Sequence, residues 1–77
     1  MSIEVLFFGS LTDTTGIASL VAQDLMDTDA LKGFLGERYP GLITAKYFIA
    51  VNQQMVQHNT IIKPGDTVAL MPPFSGG

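Results

Sequence analysis

A strongly apolar run stands near each end of this chain, and 77 residues leave room for only one core in which both must meet. The first run, Ile3-Glu4-Val5-Leu6-Phe7-Phe8, is β-branched or aromatic at most positions and predicts a strand over 2–8. Strand alternation puts Ile3, Val5 and Phe7 on one face and Glu4, Leu6 and Phe8 on the other, so both faces are largely apolar. The second run, Thr67-Val68-Ala69-Leu70-Met71, predicts the last strand. Lys63-Pro64-Gly65-Asp66 leads into it, and Pro-Gly at the two central positions is the signature of a type II turn.

Between these ends the pattern alternates. Gly9 to Gly16 is rich in turn formers and reads as a loop joining two antiparallel strands, the second over 17–23. Asp27 or Thr28 caps a helix with apolar Leu31, Phe34, Leu35 and Tyr39, which Pro40-Gly41 ends. Gly33 and Gly36 weaken that helix and share one face, a spacing that permits close packing on a sheet. Residues 46–51 predict a third strand, Asn52-Gln53-Gln54 a turn, and Met55-Val56-Gln57 a short returning strand, with Ile61-Ile62 packing the loop beyond. The order β-β-α-β-β-β predicts an α+β fold: a mixed sheet with one main helix on one face. The first and last strands lie side by side and parallel at its centre. Ile3, Val5, Phe7, Val68 and Leu70 then face Leu31, Phe34 and Leu35, which is a β-grasp, the ubiquitin-like architecture. The domain spans 1–71, and residues 72–77 form a flexible tail.

That tail, Pro72-Pro73-Phe74-Ser75-Gly76-Gly77, follows the last strand directly. The prolines stiffen the backbone and favour an extended path. Phe74 offers an apolar anchor, and Ser75, Gly76 and Gly77 leave a carboxylate on a thin thread. Extended, six residues reach roughly 20 Å, enough to enter a partner's pocket. Composition removes the rival chemistries. Cysteine is absent, so no thiol nucleophile or cysteine metal site exists. A net charge of −3 argues against nucleic acid, and the Gly33-Phe34-Leu35-Gly36 string, which matches the GxxG of KH loops, falls within a helix. The acidic residues lack metal-ligand spacing, the single His58 reads as a solvated turn residue, and no apolar run is long enough for a membrane span. A cytoplasmic domain is the expectation.

Four pieces of the chain resemble one family, in that family's order: Val5-Leu6-Phe7-Phe8, Ala50-Val51-Asn52-Gln53, Gly65-Asp66-Thr67-Val68-Ala69 and the tail. The chain resembles the ubiquitin-like sulfur carriers of the MoaD/ThiS type, and among them the small subunits of molybdopterin synthase. It departs from them in lacking a cation over 10–15, where relatives often place arginine, and in having Phe74 where a smaller aliphatic is common. The resemblance implies that Gly77 is the reactive residue. Its carboxylate is adenylated by a MoeB-type activating enzyme using ATP, becomes a thiocarboxylate, and donates sulfur to cyclic pyranopterin phosphate in a MoaE-type large subunit, within a heterotetramer. No cofactor is bound stably, and the catalytic acids and bases belong to the partners. Sulfur carriage for thiazole or tRNA thiolation, and covalent tagging as by ubiquitin, are the alternatives. Leu6, Phe8, Ala69 and Met71, joined by Met55 and Phe48, exceed what a single-helix core can hold. With Phe74 they are the expected partner-binding surface.

Overall fold

The computed structural model of this chain describes residues 2–73. Five strands form one sheet: β1 (Ser2–Phe7), β2 (Ser19–Gln23), β3 (Phe48–Val51), β4 (Gln54–Val56) and β5 (Thr67–Met71), in the order β2-β1-β5-β3-β4. β1 and β5 run parallel at its centre, with Val5 beside Val68 and Phe7 beside Leu70, while the outer pairings are antiparallel. Among the described residues three helices accompany the sheet: α1 (Leu11–Thr15), α2 (Thr28–Arg38) and α3 (Gly41–Thr44). The first and last strands hold central positions, each with a hydrogen-bonded neighbour along both edges.

α2 is the main helix and lies on one face. Asp27 is its N-cap, accepting the Ala30 N–H at 2.8 Å. Asn59, from the loop after β4, adds a second cap by accepting the Asp29 N–H at 2.9 Å. Leu31 and Leu35 are completely buried against Val5, Val68 and Leu70. Phe34 and Tyr39 pack on this core while remaining partly exposed, and Tyr39 meets Phe7 edge to face with ring centroids 6.1 Å apart.

Several expectations need correction. The stretch 9–16 is not all loop: Leu11–Thr15 winds into a helix because Leu11 is buried at the edge of the core and pulls the turn inward. Pro40-Gly41 ends α2 but also starts α3, which buries Leu42. The second strand begins at Ser19 rather than 17, and the third at Phe48 rather than 46. The hairpin turn is Asn52-Gln53 alone, both at positive φ (49° and 70°), with Gln54 already paired to Val51. That is the backbone of a type I′ hairpin, for which Asn is suited and Gln is not. Ile61 is exposed and only Ile62 is buried. The paired glycines do not meet the sheet: Gly33 faces open space, and Gly36 gives room to the Ile43 side chain of α3.

Candidate docking face and tail exit

The face of the sheet opposite α2 carries the surplus apolar residues. Register alone builds it. Leu6, Ala69, Ala50 and Met55 are successive neighbours across β1, β5, β3 and β4, and Phe48 sits beside Met71 in the adjoining row. Phe8, one residue beyond β1, stays tied to the sheet through its N–H, which donates to the Leu70 carbonyl at 3.0 Å. Two small alanines in the middle and large side chains around them make a concavity of about 550 Å³, lined by Leu6, Phe8, Ala50, Met55, Ala69 and Met71, with the polar Asn52, Gln53 and Thr67 completing its wall. Phe8, Phe48 and Met55 are 47%, 45% and 57% exposed. Side chains this apolar and this open to water on one face are what a partner covers.

Of the six expected surface residues that the structure describes, Leu6, Phe8, Met55, Ala69 and Met71 line the concavity, and Phe48 stands beside Met71 without lining it. Phe74, Ser75, Gly76 and Gly77 lie outside the described residues. β5 brings the chain to the rim of this concavity, where Met71 gives way to Pro72 and Pro73. Ala50, its floor, was not a sequence-based candidate; an alanine inside an apolar strand gives no signal of which face it serves.

At the other end of β5 a polar clasp fixes where that strand begins. Asn52 donates from Nδ2 to Asp66 Oδ1 at 2.9 Å, and its Oδ1 accepts the Thr67 N–H at 3.0 Å. The Lys63 N–H donates to Asp66 Oδ2 at 2.8 Å, and the Asp66 N–H closes the turn onto the Lys63 carbonyl at 3.0 Å. Gly65 stands at φ +85°, as a type II turn demands. Asn52 is thus more than the turn former its sequence position implied.

The hydrogen bond from Asn52, then that from the Lys63 backbone and the Lys63 charge, hold the Asp66 carboxyl below the usual aspartate value. A carboxylate whose folded pKa is depressed stabilises the fold above its unfolded pKa of about 3.9, and that contribution fades as pH falls through the lower folded value. Wild type is therefore expected to exceed Asp66→Asn in stability at neutral pH, with the gap closing as pH falls below about 4. Urea midpoints from pH 7 to pH 2 measure this; a gap independent of pH would show that the charge has no part in the clasp.

Elsewhere the surface offers little chemistry. His58 is exposed in a loop, its carbonyl accepting from the Thr60 hydroxyl. Among the described residues no three potential metal ligands come together, and no helix is long and apolar enough to cross a membrane.

A mixed five-stranded sheet with parallel first and last strands at its centre and a helix across one face is a ubiquitin-like β-grasp. The chain belongs to the ThiS family, whose model matches residues 5–77. It is 35% identical to the molybdopterin synthase sulfur carrier subunit of Escherichia coli (strain K12), over 97% of this chain and 99% of that one. To the human protein of the same name it is 32% identical, over 97% and 93%. Among solved structures it is similar to a chain in the protein–protein complex of subunits 1 and 2 of the molybdopterin-converting factor from Helicobacter pylori 26695. That match has a TM-score of 0.74, 29% identity and full coverage of both chains.

Proposed function

We propose that this chain is the sulfur carrier of a molybdopterin synthase: a cytoplasmic subunit that docks on a large catalytic subunit through its concave face and delivers sulfur on Gly77. The observation that carries the reading is the placement of an apolar docking face at the exit of the strand that leads to Phe74-Ser75-Gly76-Gly77. The names of the relatives, and the two-subunit assembly of the H. pylori protein, support it.

The chemistry follows from the carboxylate. With a pKa of roughly 3.3–3.7 it is ionised at neutral pH and a poor acyl donor, so it requires activation. Its oxygen attacks the α-phosphorus of ATP held by an activating enzyme, pyrophosphate leaves, and an acyl-adenylate forms. The terminal sulfur of a persulfide attacks the carbonyl carbon, and AMP departs with the former carboxylate oxygen. A thiol takes the second sulfur of the resulting acyl disulfide, releasing the thiocarboxylate and a disulfide. The thiocarboxylate sulfur is ionised, soft and strongly nucleophilic. In the large subunit it displaces from a carbon of the pterin acceptor an oxygen substituent, which leaves with the bonding electron pair; water then cleaves the acyl–sulfur bond, leaving sulfur on the product and returning Gly77 to a carboxylate.

Each of these steps places the Gly77 carbonyl in a confined site. Glycine at 76 and 77 adds no side chain to meet its walls. The acids, bases and nucleotide contacts reside on the partners, and this chain supplies reach, direction and docking.

Intact mass tests the proposal. Protein purified from cells that co-produce its activating enzyme and sulfur donor is expected to carry a fraction heavier by about 16 Da, one oxygen exchanged for sulfur. That fraction should revert on incubation with the large subunit and the pterin precursor. Absence of the heavier species, or its persistence in the presence of both, would overturn the assignment. Conjugates to lysines of other proteins in place of the thiocarboxylate would mark a protein modifier instead.

A further inference from the structure

The tail leaves the domain past a second backbone segment. Gly9 lies directly after Phe8, at φ +57°, and a Cβ built on it would stand only 2.8 Å from Pro72 Cγ and 3.4 Å from Pro72 Cδ. A contact of 2.8 Å is closer than carbon atoms tolerate, and the proline ring is closed onto its own backbone nitrogen, so whatever a change of ring pucker at Cγ does not relieve must be taken up by the chain at Pro72. Gly9 is itself held from both sides. The Phe8 N–H is bonded to the Leu70 carbonyl of β5, and the Gly9 carbonyl accepts from the Thr12 N–H at 3.1 Å and the Thr12 hydroxyl at 2.8 Å. These last bonds start α1, which is seated by buried Leu11 and by the close approach of Thr14 to Gly41. Gly9 is a fixed wall rather than a yielding loop.

We propose that Gly9 is a positioning residue for sulfur transfer: its bare α-carbon forms the seat against which the Pro72 ring rests, and this contact sets the direction in which the tail leaves the domain. The inference rests on the sulfur-carrier reading for its functional consequence, but the seat itself is a property of the isolated domain. The two prolines transmit the direction, since each fixes its own φ and the pair favours an extended path. A small rotation at Pro72 is then amplified over the residues that follow. Displacing a reacting atom by about 1 Å is enough to lower a rate about a hundredfold.

The experiment is a double-mutant cycle with two readouts. Gly9→Ala brings both a clash with Pro72 and a side chain at positive φ. Gly9→Asn brings the same Cβ in a residue that accepts positive φ. Pro72→Ala removes the ring atoms that the Cβ would strike. Sulfur transfer to the pterin precursor, measured with the large subunit in excess, is expected to fall about 10–100-fold for both Gly9 variants. The fall caused by Gly9→Ala should be several-fold smaller when measured in the Pro72→Ala background than in wild type. Equal falls in both backgrounds, or full transfer by Gly9→Asn, would overturn the proposal and leave only a strained turn. NMR of the free proteins supplies the second readout. A contact between the Gly9 Hα and Pro72 Hγ protons is expected in wild type, and the Pro72 and Pro73 Cα–Hα resonances should move in both Gly9 variants. If these signals behave as expected while wild type transfers no sulfur, the seat stands and the carrier reading fails. If wild type transfers sulfur and the contact is absent, the seat fails alone.

Discussion

Deleting Gly77 is expected to abolish sulfur transfer while leaving the fold and docking intact. The truncated chain still ends in a glycine carboxylate, but its carbonyl stops about 3.5 Å short of where the full chain would place it. With a tolerance near 1 Å for about a hundredfold in rate, a whole residue should remove measurable turnover. One alanine added after Gly77 is expected to be as damaging, because it carries the carbonyl past the reacting position and brings a methyl group into a confined site. The core cluster lies between Ile3 and Leu70, so neither change touches it. ATP–pyrophosphate exchange with the activating enzyme and product formation with the large subunit measure the two stages separately. Thermal unfolding and titration of the large subunit serve as controls. Normal turnover by either variant would show that the terminal carboxylate is not the reacting group.

The second large effect is expected at the concave face. Phe8→Ala should weaken binding to the large subunit by about 1–3 kcal/mol, the scale of truncating an anchoring side chain at the centre of an interface. Met71→Ala should act similarly, since Met71 adjoins both Phe48 and the tail exit. Phe8 is nearly half exposed in the free domain, so its truncation removes little buried area and should hardly alter unfolding. Leu35→Ala makes the contrast. That side chain is wholly buried under the sheet, and its loss is expected to cost about 2–5 kcal/mol of stability, most of what so small a domain has. Calorimetric titration alongside urea unfolding separates the two classes. A Phe8→Ala protein that binds normally would move the docking site away from this face.

Much of the concave face was legible because strand alternation is a strict rule. Once Ile3, Val5 and Phe7 face the helix, Leu6 and Phe8 must face away, and Ala69 and Met71 follow by the same parity beside them. The type II turn before the last strand was equally plain, since Pro-Gly fixes both central dihedrals locally. Short helices were not. α1 and α3 are too brief to show a periodic pattern, and each exists because one leucine, Leu11 or Leu42, finds space in the core. That space is made by residues distant in sequence.

The apolar strands at both ends, their parity and the main helix could be read from the residues alone. These rest on local preference and on periodicity, which a chain carries wherever it folds. Packing across the domain is what puts Ala50 on the floor of the concavity, closes Asn52 and Asp66 on the start of the last strand, and brings Gly9 to Pro72. Each joins residues at least 14 positions apart or lying on different strands. An alanine, an asparagine or a glycine has no pattern that announces such a meeting. The physical reason is that sheet register and close approach are set by how the whole core packs, and a two-body contact across it leaves no trace in either neighbourhood alone.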